Sequence, residues 1–277
     1  MNLDAVKKNV RVALKEDSVR QDLSIKAITK FSKMIVTAEL IIREKATISG
    51  KAWFEESFKQ IDPAIKVSWR FKEGKEVPKN SIVAKITGNP EVILSAERTA
   101  LNFLQFMSGI STKTALVKSK IKNKKIKLLD TRKTIPGMRA EQKYATKIGG
   151  ATNHRFDLSD GLMIKDNHIF ATDGLNNISF KKNFNRGKFL EIEVKKLSQL
   201  KDALRLKPDV IMLDNFSKTS SIEKALKIIN AQTKIEISGI KNESHLKEVS
   251  NMNVDFISLG DLTKNIKAID FSLNFIK

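Results

Sequence analysis

The sequence predicts an α/β protein: an α/β sandwich over roughly the first 93 residues, then a (β/α) barrel from about residue 126 onward. Two observations carry this. In the second part, short apolar runs alternate with helix-length segments, which implies parallel strands forming a buried sheet. Nearly every run is also followed at once by charged or small polar residues, the layout of a barrel whose functional face lies at the strand C-termini. An open doubly wound sheet would concentrate its site at one switch point instead.

The elements follow in order. Leu3, Val6, Val10 and Leu14 step by three or four, as in an amphipathic helix. Residues 34–42 and 81–86 are short and β-branched, as strands are, and residues 73–78 read as a turn between strands. Trp53, Phe54 and Phe58 among charges predict a helix packed on that sheet. A long helix is expected from near Leu94, with Ala96, Ala100, Leu104 and Met107 at helical spacing and an interruption at Ser108-Gly109. Six apolar runs then read as barrel strands: 126–129, 162–164, 189–194, 210–213, 235–237 and 256–259. Helical segments, most of ten or more residues, are expected between most of them, including 197–206, 220–229 and the shorter 245–252.

Composition narrows the function. At 277 residues, with 41% hydrophobic and 30% charged, the chain is globular and long enough for one large or two smaller domains. It contains no cysteine, so disulfides and thiolate metal sites are excluded, and three histidines argue against structural zinc. No apolar run approaches 18 residues and the N-terminus lacks an apolar signal core, so cytoplasm is the expected location, with no membrane partner. The formal net charge of +20 favours anionic partners. Only ten of the cations are Arg, however, and the chain is rich in Asn and Ile, residues that rise together with Lys under biased codon usage, so the charge alone does not establish a binding role. There is no glycine-rich dinucleotide fingerprint and no P-loop.

The densest chemistry is Asp130-Thr131-Arg132-Lys133-Thr134 through Arg139. Adjacent cations beside a hydroxyl at a strand end can hold a carboxylate or phosphate, by a bidentate Arg and a point-charge Lys. The same string also fits charges on a solvated loop. Gly149-Gly150-Ala151-Thr152-Asn153-His154-Arg155 adds donors beside small residues, and Lys165 leaves an apolar strand, a costly place for a cation without an anion to meet. Glu191-Ile192-Glu193-Val194 puts both glutamates on one strand face, and Asp214 ends the next strand. These carboxylates can bind Mg²⁺, accept sugar hydroxyls, or simply neutralise the lysines. Ser238-Gly239 and Gly260-Asp261 close later strands with small residues whose backbone N–H groups can cradle a phosphate.

Taken in order, these strings resemble the quinolinate phosphoribosyltransferase family. The match runs through Ser95-Ala96-Glu97-Arg98-Thr99-Ala100-Leu101-Asn102, Asp130-Thr131-Arg132-Lys133-Thr134, Asn153-His154-Arg155, Ile164-Lys165-Asp166-Asn167-His168, Glu191-Ile192-Glu193-Val194, Leu213-Asp214-Asn215 and Ser258-Leu259-Gly260. Glu16-Asp17 and Asp22-Leu23-Ser24 resemble its N-terminal signature. The resemblance spans essentially the whole chain.

It implies an N-terminal α/β sandwich over residues 1–105, joined by the C-terminal segment 268–277, and an incomplete (β/α) TIM-like barrel over 106–267. It implies a pentosyltransferase that moves phosphoribosyl from 5-phosphoribosyl 1-diphosphate to quinolinate with decarboxylation, giving nicotinate mononucleotide in NAD biosynthesis. The implied assembly is a homodimer, or a hexamer built from it, in which Arg98 enters the partner's active site. Thr131, Arg132, His154, Arg155 and Lys165 would surround the two quinolinate carboxylates, and Lys133 would hold the departing diphosphate. Glu193 and Asp214 would hold the ribose hydroxyls and the Mg²⁺ cofactor. Ser238, Gly239, Leu259, Gly260 and Asp261 would take the 5′-phosphate. One departure stands out: Ile240 and Lys241 follow Gly239 directly, where the family usually has a second small or amide residue, which predicts a shorter loop.

Two rivals stand beside this reading, a close one of the same fold and one from another class. A phosphoribosyltransferase-like protein of the same fold, of the type associated with molybdenum uptake, would act on another substrate. Retention of Arg98, Arg132, His154, Arg155 and Lys165 together argues against it, since a second carboxylate needs that many donors. A nucleic-acid-binding protein is suggested only by the charge. The chain has one Tyr, no aromatic-and-basic motif, and lysines spread throughout, so no nucleic-acid partner is expected.

Overall fold

The computed structural model describes residues 3–29, 31, 34–181 and 188–276. In chain order the first elements are α1 (Leu3–Glu16), α2 (Leu23–Ala27), β1 (Val36–Ile42), β2 (Ala46–Thr47), α3 (Lys51–Lys59), β3 (Lys66–Trp69), β4 (Glu76–Val77), β5 (Ile82–Gly88) and α4 (Pro90–Lys120). There follow β6 (Lys127–Leu129), α5 (Arg139–Ile148), β7 (Leu162–Ile164), α6 (Asp166–Ala171), β8 (Leu190–Val194) and α7 (Leu200–Arg205). The last are β9 (Val210–Asp214), α8 (Thr219–Ile229), β10 (Lys234–Ser238), α9 (Glu243–Val249), β11 (Phe256–Ser258), α10 (Asp261–Lys264) and β12 (Phe271–Ile276). They pack as two units. One is built from the chain up to Ala115, with Ile135–Gly150 and the segment from Asn265; the other is Leu116–Thr134 with Ala151–Lys264.

The first unit holds an antiparallel sheet in the order β12-β1-β5-β3. Alternation along β1 sends Ala38, Leu40 and Ile42 inward, where they meet Ala84 and Ile86 of β5, Phe54 and Phe58 of α3, and Ile93, Ala96 and Leu104 of α4. Burial of each large side chain is worth about 1.5–3 kcal/mol. On α1, Val6, Val10 and Leu14 are buried with Trp53 and Met107, while Leu3 is exposed. The helix expected from Leu94 begins four residues earlier. Asn89 accepts the N–H of Glu91 at 2.9 Å, and Pro90 suits the first helical position, where its missing donor is not needed. The helix also runs unbroken through Ser108-Gly109, because both are small for packing reasons. Ser108 donates to the Ser49 carbonyl at 3.2 Å, and a Cβ on Gly109 would lie 2.2 Å from the Lys267 carbonyl oxygen.

The second unit is a six-stranded parallel sheet in the order β6-β11-β10-β9-β8-β7, extended by a parallel bridge between Leu129 and Thr152. β6 and β7 are its outermost named strands, which is the incomplete barrel. All six apolar runs form these strands. The connecting helices are shorter than the spacing predicts: α7 has 6 residues and α9 has 7, and only α8 reaches 11.

The two faces of the sheet divide the chemistry. Ile192, Val194, Ile211, Leu213, Ile235, Ile237 and Ile257 belong to the core shared with Ala203, Ile222, Ile229 and Val249 of the helices. Alternation then leaves Glu191, Glu193, Met212, Asp214, Glu236 and Ser238 on the other face. Barrel interiors are ordinarily filled with bulky branched residues. Here that face carries carboxylates, and the site is built on it.

Candidate active site

Parallel pairing brings the strand C-termini to one edge, so residues far apart in sequence line one cavity of about 550 Å³. Thr131, Arg132 and Lys133 follow β6; His154 and Arg155 follow the Thr152 bridge; Lys165 follows β7. Glu193 lies on β8, Asp214 ends β9, Ser238 and Gly239 end β10, and Leu259, Gly260 and Asp261 follow β11. Every sequence-predicted site residue is in this lining except Arg98, which is exposed on α4 in the other unit.

The cationic wall is crowded. Burial, and after it the positive charge of Arg132, lowers the pKa of Arg155 from the ordinary guanidinium value, with Glu191 pulling it back up. The Arg132 Nε is buried and has no hydrogen-bond partner among the described residues. Arg155 donates from Nη1 to the Gly161 carbonyl at 2.9 Å, which fixes one end of its guanidinium. Two like charges pressed together, one with an unpaired buried donor, form a receptor for an anion.

Lys133 is held through its backbone. Its N–H donates to Thr131 Oγ1 at 3.1 Å, and its carbonyl accepts from Thr263 Oγ1 at 2.7 Å. A Cβ on Gly260 would stand 2.8 Å from Lys133 Cδ, so the glycine leaves room for the lysine stem. Across the cavity Lys165 Nζ pairs with Glu193 at 2.9 Å. The rest of the string after Lys165 serves structure: His168 Nδ1 accepts the Lys165 N–H at 3.0 Å, and Asp166 pairs with Lys195 at 2.5 Å. Asp214 accepts from Asn215 Nδ2 at 2.8 Å. Gly239 has φ +79, and a Cβ there would meet Asn215 Oδ1 at 2.3 Å. Only glycine fits that turn without strain.

Beneath the cations lies a buried group that sequence reasoning did not assemble. His154 Nε2 is 2.9 Å from Glu191 Oε2 and 3.5 Å from Glu236 Oε2, and both carboxylates are 1% exposed. Its Nδ1 accepts the Arg155 N–H at 2.7 Å, and its own N–H donates to Asp130 at 2.8 Å. Burial by itself lowers the His154 pKa, but hydrogen bonding and charge from the two carboxylates, Glu191 first, outweigh it and raise it. Burial raises Glu191 to about 7, with His154 opposing and Glu236 adding. His154 and Glu191 therefore hold a proton jointly, on the side of the ring that faces the carboxylates. The accepting Nδ1 places the imidazole hydrogen on Nε2, facing the carboxylates.

Glu236, Asn215, Met163, Met212, Ser258 and Lys264 also line the cavity and were missed. For Glu236 a signal existed: the alternation Ile235-Glu236-Ile237-Ser238 repeats the one that aligned Glu191 with Glu193. Lys264 follows Asp261 by three residues, within one turn of α10.

Known proteins share the fold that builds this cavity. The model of the quinolinate phosphoribosyl transferase N-terminal domain matches residues 22–108, and that of the C-terminal domain matches residues 110–274. The chain is similar to a probable nicotinate-nucleotide pyrophosphorylase (carboxylating) of Bacillus subtilis, at 34% identity over 99% of this chain and 94% of that protein. Its counterpart from Methanocaldococcus jannaschii is 40% identical over 85% of each. Among solved structures, the nicotinate-nucleotide pyrophosphorylase of Francisella tularensis superposes with a TM-score of 0.92 and 38% identity, over 100% of this chain and 98% of that one.

Proposed function

The chain belongs to the quinolinate phosphoribosyltransferase family, and we infer that it transfers phosphoribosyl from 5-phosphoribosyl 1-diphosphate to quinolinate, releasing carbon dioxide and diphosphate and forming nicotinate mononucleotide. This is a pentosyl transfer of NAD biosynthesis. The observation that carries the reading at the site is the crowded pair Arg132 and Arg155, with the unpartnered Arg132 Nε, on one wall of the cavity.

Quinolinate carries two adjacent carboxylates. Arg132 and Arg155 receive them, with Thr131 and Lys165 at the sides and His154 below. The pyridine nitrogen attacks C1′ of the ribose as the bond to diphosphate breaks, so no protein nucleophile is needed. Positive charge develops on the sugar carbon, which Glu193 and Asp214 stabilise, and negative charge develops on the leaving group, which Lys133 holds. In the resulting adduct the ring nitrogen is cationic. It withdraws the electrons of the bond to the 2-carboxylate, which leaves as carbon dioxide, and a proton replaces it on the ring. Most of this depends on positioning and electrostatics. The turns at Ser238-Gly239 and Leu259-Gly260-Asp261 hold the 5′-phosphate through backbone N–H groups.

Glu193 and Asp214 fit a magnesium ion, being hard oxygen donors on adjacent strands that line the same cavity. Mg²⁺ bound there with the sugar diphosphate would neutralise the leaving group. Arg98, exposed on α4, reaches the quinolinate site of a second chain in a homodimer. The family resemblance and the exposure of this cation support that assignment.

The test is incubation of the purified protein with quinolinate, 5-phosphoribosyl 1-diphosphate and Mg²⁺, followed by chromatography. Nicotinate mononucleotide is expected, and chelation of Mg²⁺ should stop its formation. No mononucleotide from folded protein would refute the reading.

A further inference from the structure

We propose that Glu191 is a positioning residue for quinolinate binding, acting through the His154 ring to hold the backbone of Arg155 at the cavity. The proposal rests on the functional reading above and deepens it. A single line of contacts carries it: Glu191 Oε2 lies 2.9 Å from His154 Nε2, and His154 Nδ1 accepts the Arg155 N–H at 2.7 Å. Glu236 stands behind Nε2 at 3.5 Å. Asp130, itself fully buried, takes the His154 N–H at 2.8 Å and the Asn153 amide at 2.5 Å. The Asn153-His154-Arg155 turn is thus pinned from two sides, and Arg155 projects from it to the Gly161 carbonyl and the cavity.

The ring's hydrogen bonding decides its role. Because Nδ1 is an acceptor, the ring hydrogen sits on Nε2, the side of the ring that faces Glu191 and Glu236. With the ring hydrogen on that side, Nδ1 is left to hold the Arg155 N–H, so His154 transmits the position of the carboxylates to Arg155. The same fact tells against a metal at this spot. His154, Glu191 and Glu236 present ligand atoms within 4.8 Å of one another, but an ion would need the Nε2 lone pair that the hydrogen occupies. Packing does not explain the cluster either. The apolar side chains of β8 and β10 face the helices, and burying two carboxylates on the other face is costly without a compensating use.

The experiment compares Glu191→Leu, Glu191→Gln and His154→Phe with the wild type, measuring quinolinate binding by calorimetry and KM for each substrate, with circular dichroism to verify folding. Leu removes the carboxylate beside Nε2 at similar volume, while Gln keeps a polar oxygen in the same place. Displacing a binding group by about 1 Å costs up to a hundredfold, so Glu191→Leu should raise Kd and KM for quinolinate at least about tenfold. KM for 5-phosphoribosyl 1-diphosphate should stay within about twofold, and Glu191→Gln should recover most of the loss. His154→Phe should reproduce the Leu phenotype, and it carries the test alone if Glu191→Leu fails to fold. Unchanged quinolinate affinity in whichever of these two variants folds, or an equal rise in both KM values, would overturn the proposal. A wild type that neither binds nor converts quinolinate would overturn the functional reading, and this proposal with it.

Discussion

Lys165 Nζ lies 2.9 Å from Glu193 Oε2, joining a proposed quinolinate-binding cation after β7 to a proposed ribose-binding carboxylate on the neighbouring strand β8. Each neutralises the other in the pair, and on the proposed reading both would take new partners when the dicarboxylate and the sugar diphosphate enter. Lys165→Ala should therefore lower kcat/KM by at least about 30-fold, corresponding to about 2 kcal/mol, the scale of a lost preorganised donor. Steady-state kinetics measures this, and an unchanged kcat/KM would remove Lys165 from the site.

The proposed roles of Lys133 and Arg155 belong to different substrates, so their losses should separate. Lys133→Ala is expected to cost at least about 2 kcal/mol, mostly in kcat, because its partner charge develops on the leaving diphosphate. Arg155→Ala should cost at least as much, and appear largely in KM for quinolinate. Identical effects of the two variants on both parameters would contradict the assignment.

Gly239→Ala tests the turn after β10. The residue would sit at φ +79 with its Cβ 2.3 Å from Asn215 Oδ1 and 3.1 Å from Asn215 Cα. A left-handed conformation alone costs an L-residue about 1–2 kcal/mol. The thermal midpoint should fall modestly, and KM for 5-phosphoribosyl 1-diphosphate should rise while that for quinolinate holds. A rise confined to quinolinate would relocate the phosphate site.

The trans role of Arg98 has a mixing test. Chains carrying Arg98→Ala and chains carrying Lys133→Ala are each expected to be nearly inactive. Random reassortment makes half the dimers hybrid, each with one intact site, so an equal mixture should recover about a quarter of wild-type activity. Absence of recovery, with hybrids shown by mass spectrometry, would place Arg98 outside the partner's site.

A pH dependence follows from Glu141 on α5, which is 1% exposed and whose pKa burial raises above the usual carboxylate value. Its folded form keeps a proton that the unfolded chain releases. The stability it contributes is thus full below the unfolded pKa near 4.5 and is lost as pH rises through the folded value. Glu73 and Glu97 shift in the same direction, burial being the first cause. Denaturant midpoints of wild type should decline above that range, and Glu141→Gln should flatten the decline. A steeper slope in the variant would reverse the sign of the argument.

Much of the second unit was legible because its signals are local. The alternation Glu-Ile-Glu-Val fixes which side of β8 is polar, whatever strand pairs with it. The cations after β6 and β7 announce themselves by following apolar runs. The His154–Glu191–Glu236 group was not legible, since it needs β8, β9 and β10 side by side and a turn 37 residues before Glu191 reaching over them. Ser108-Gly109 misled for a related reason: their smallness answers to Ser49 and Lys267, remote in sequence, and not to the helix that contains them. Leu3 fits the periodicity of α1 but lies beyond its packed stretch, a distinction that only the tertiary contacts make.

The most direct measurement uses quinolinate carrying ¹³C in its 2-carboxyl group. With the enzyme, Mg²⁺ and 5-phosphoribosyl 1-diphosphate, the label should appear entirely as carbon dioxide, one for each nicotinate mononucleotide formed, and none should be released when the sugar diphosphate is omitted. Label retained in a mononucleotide product, or carbon dioxide released without the sugar diphosphate, would contradict the account.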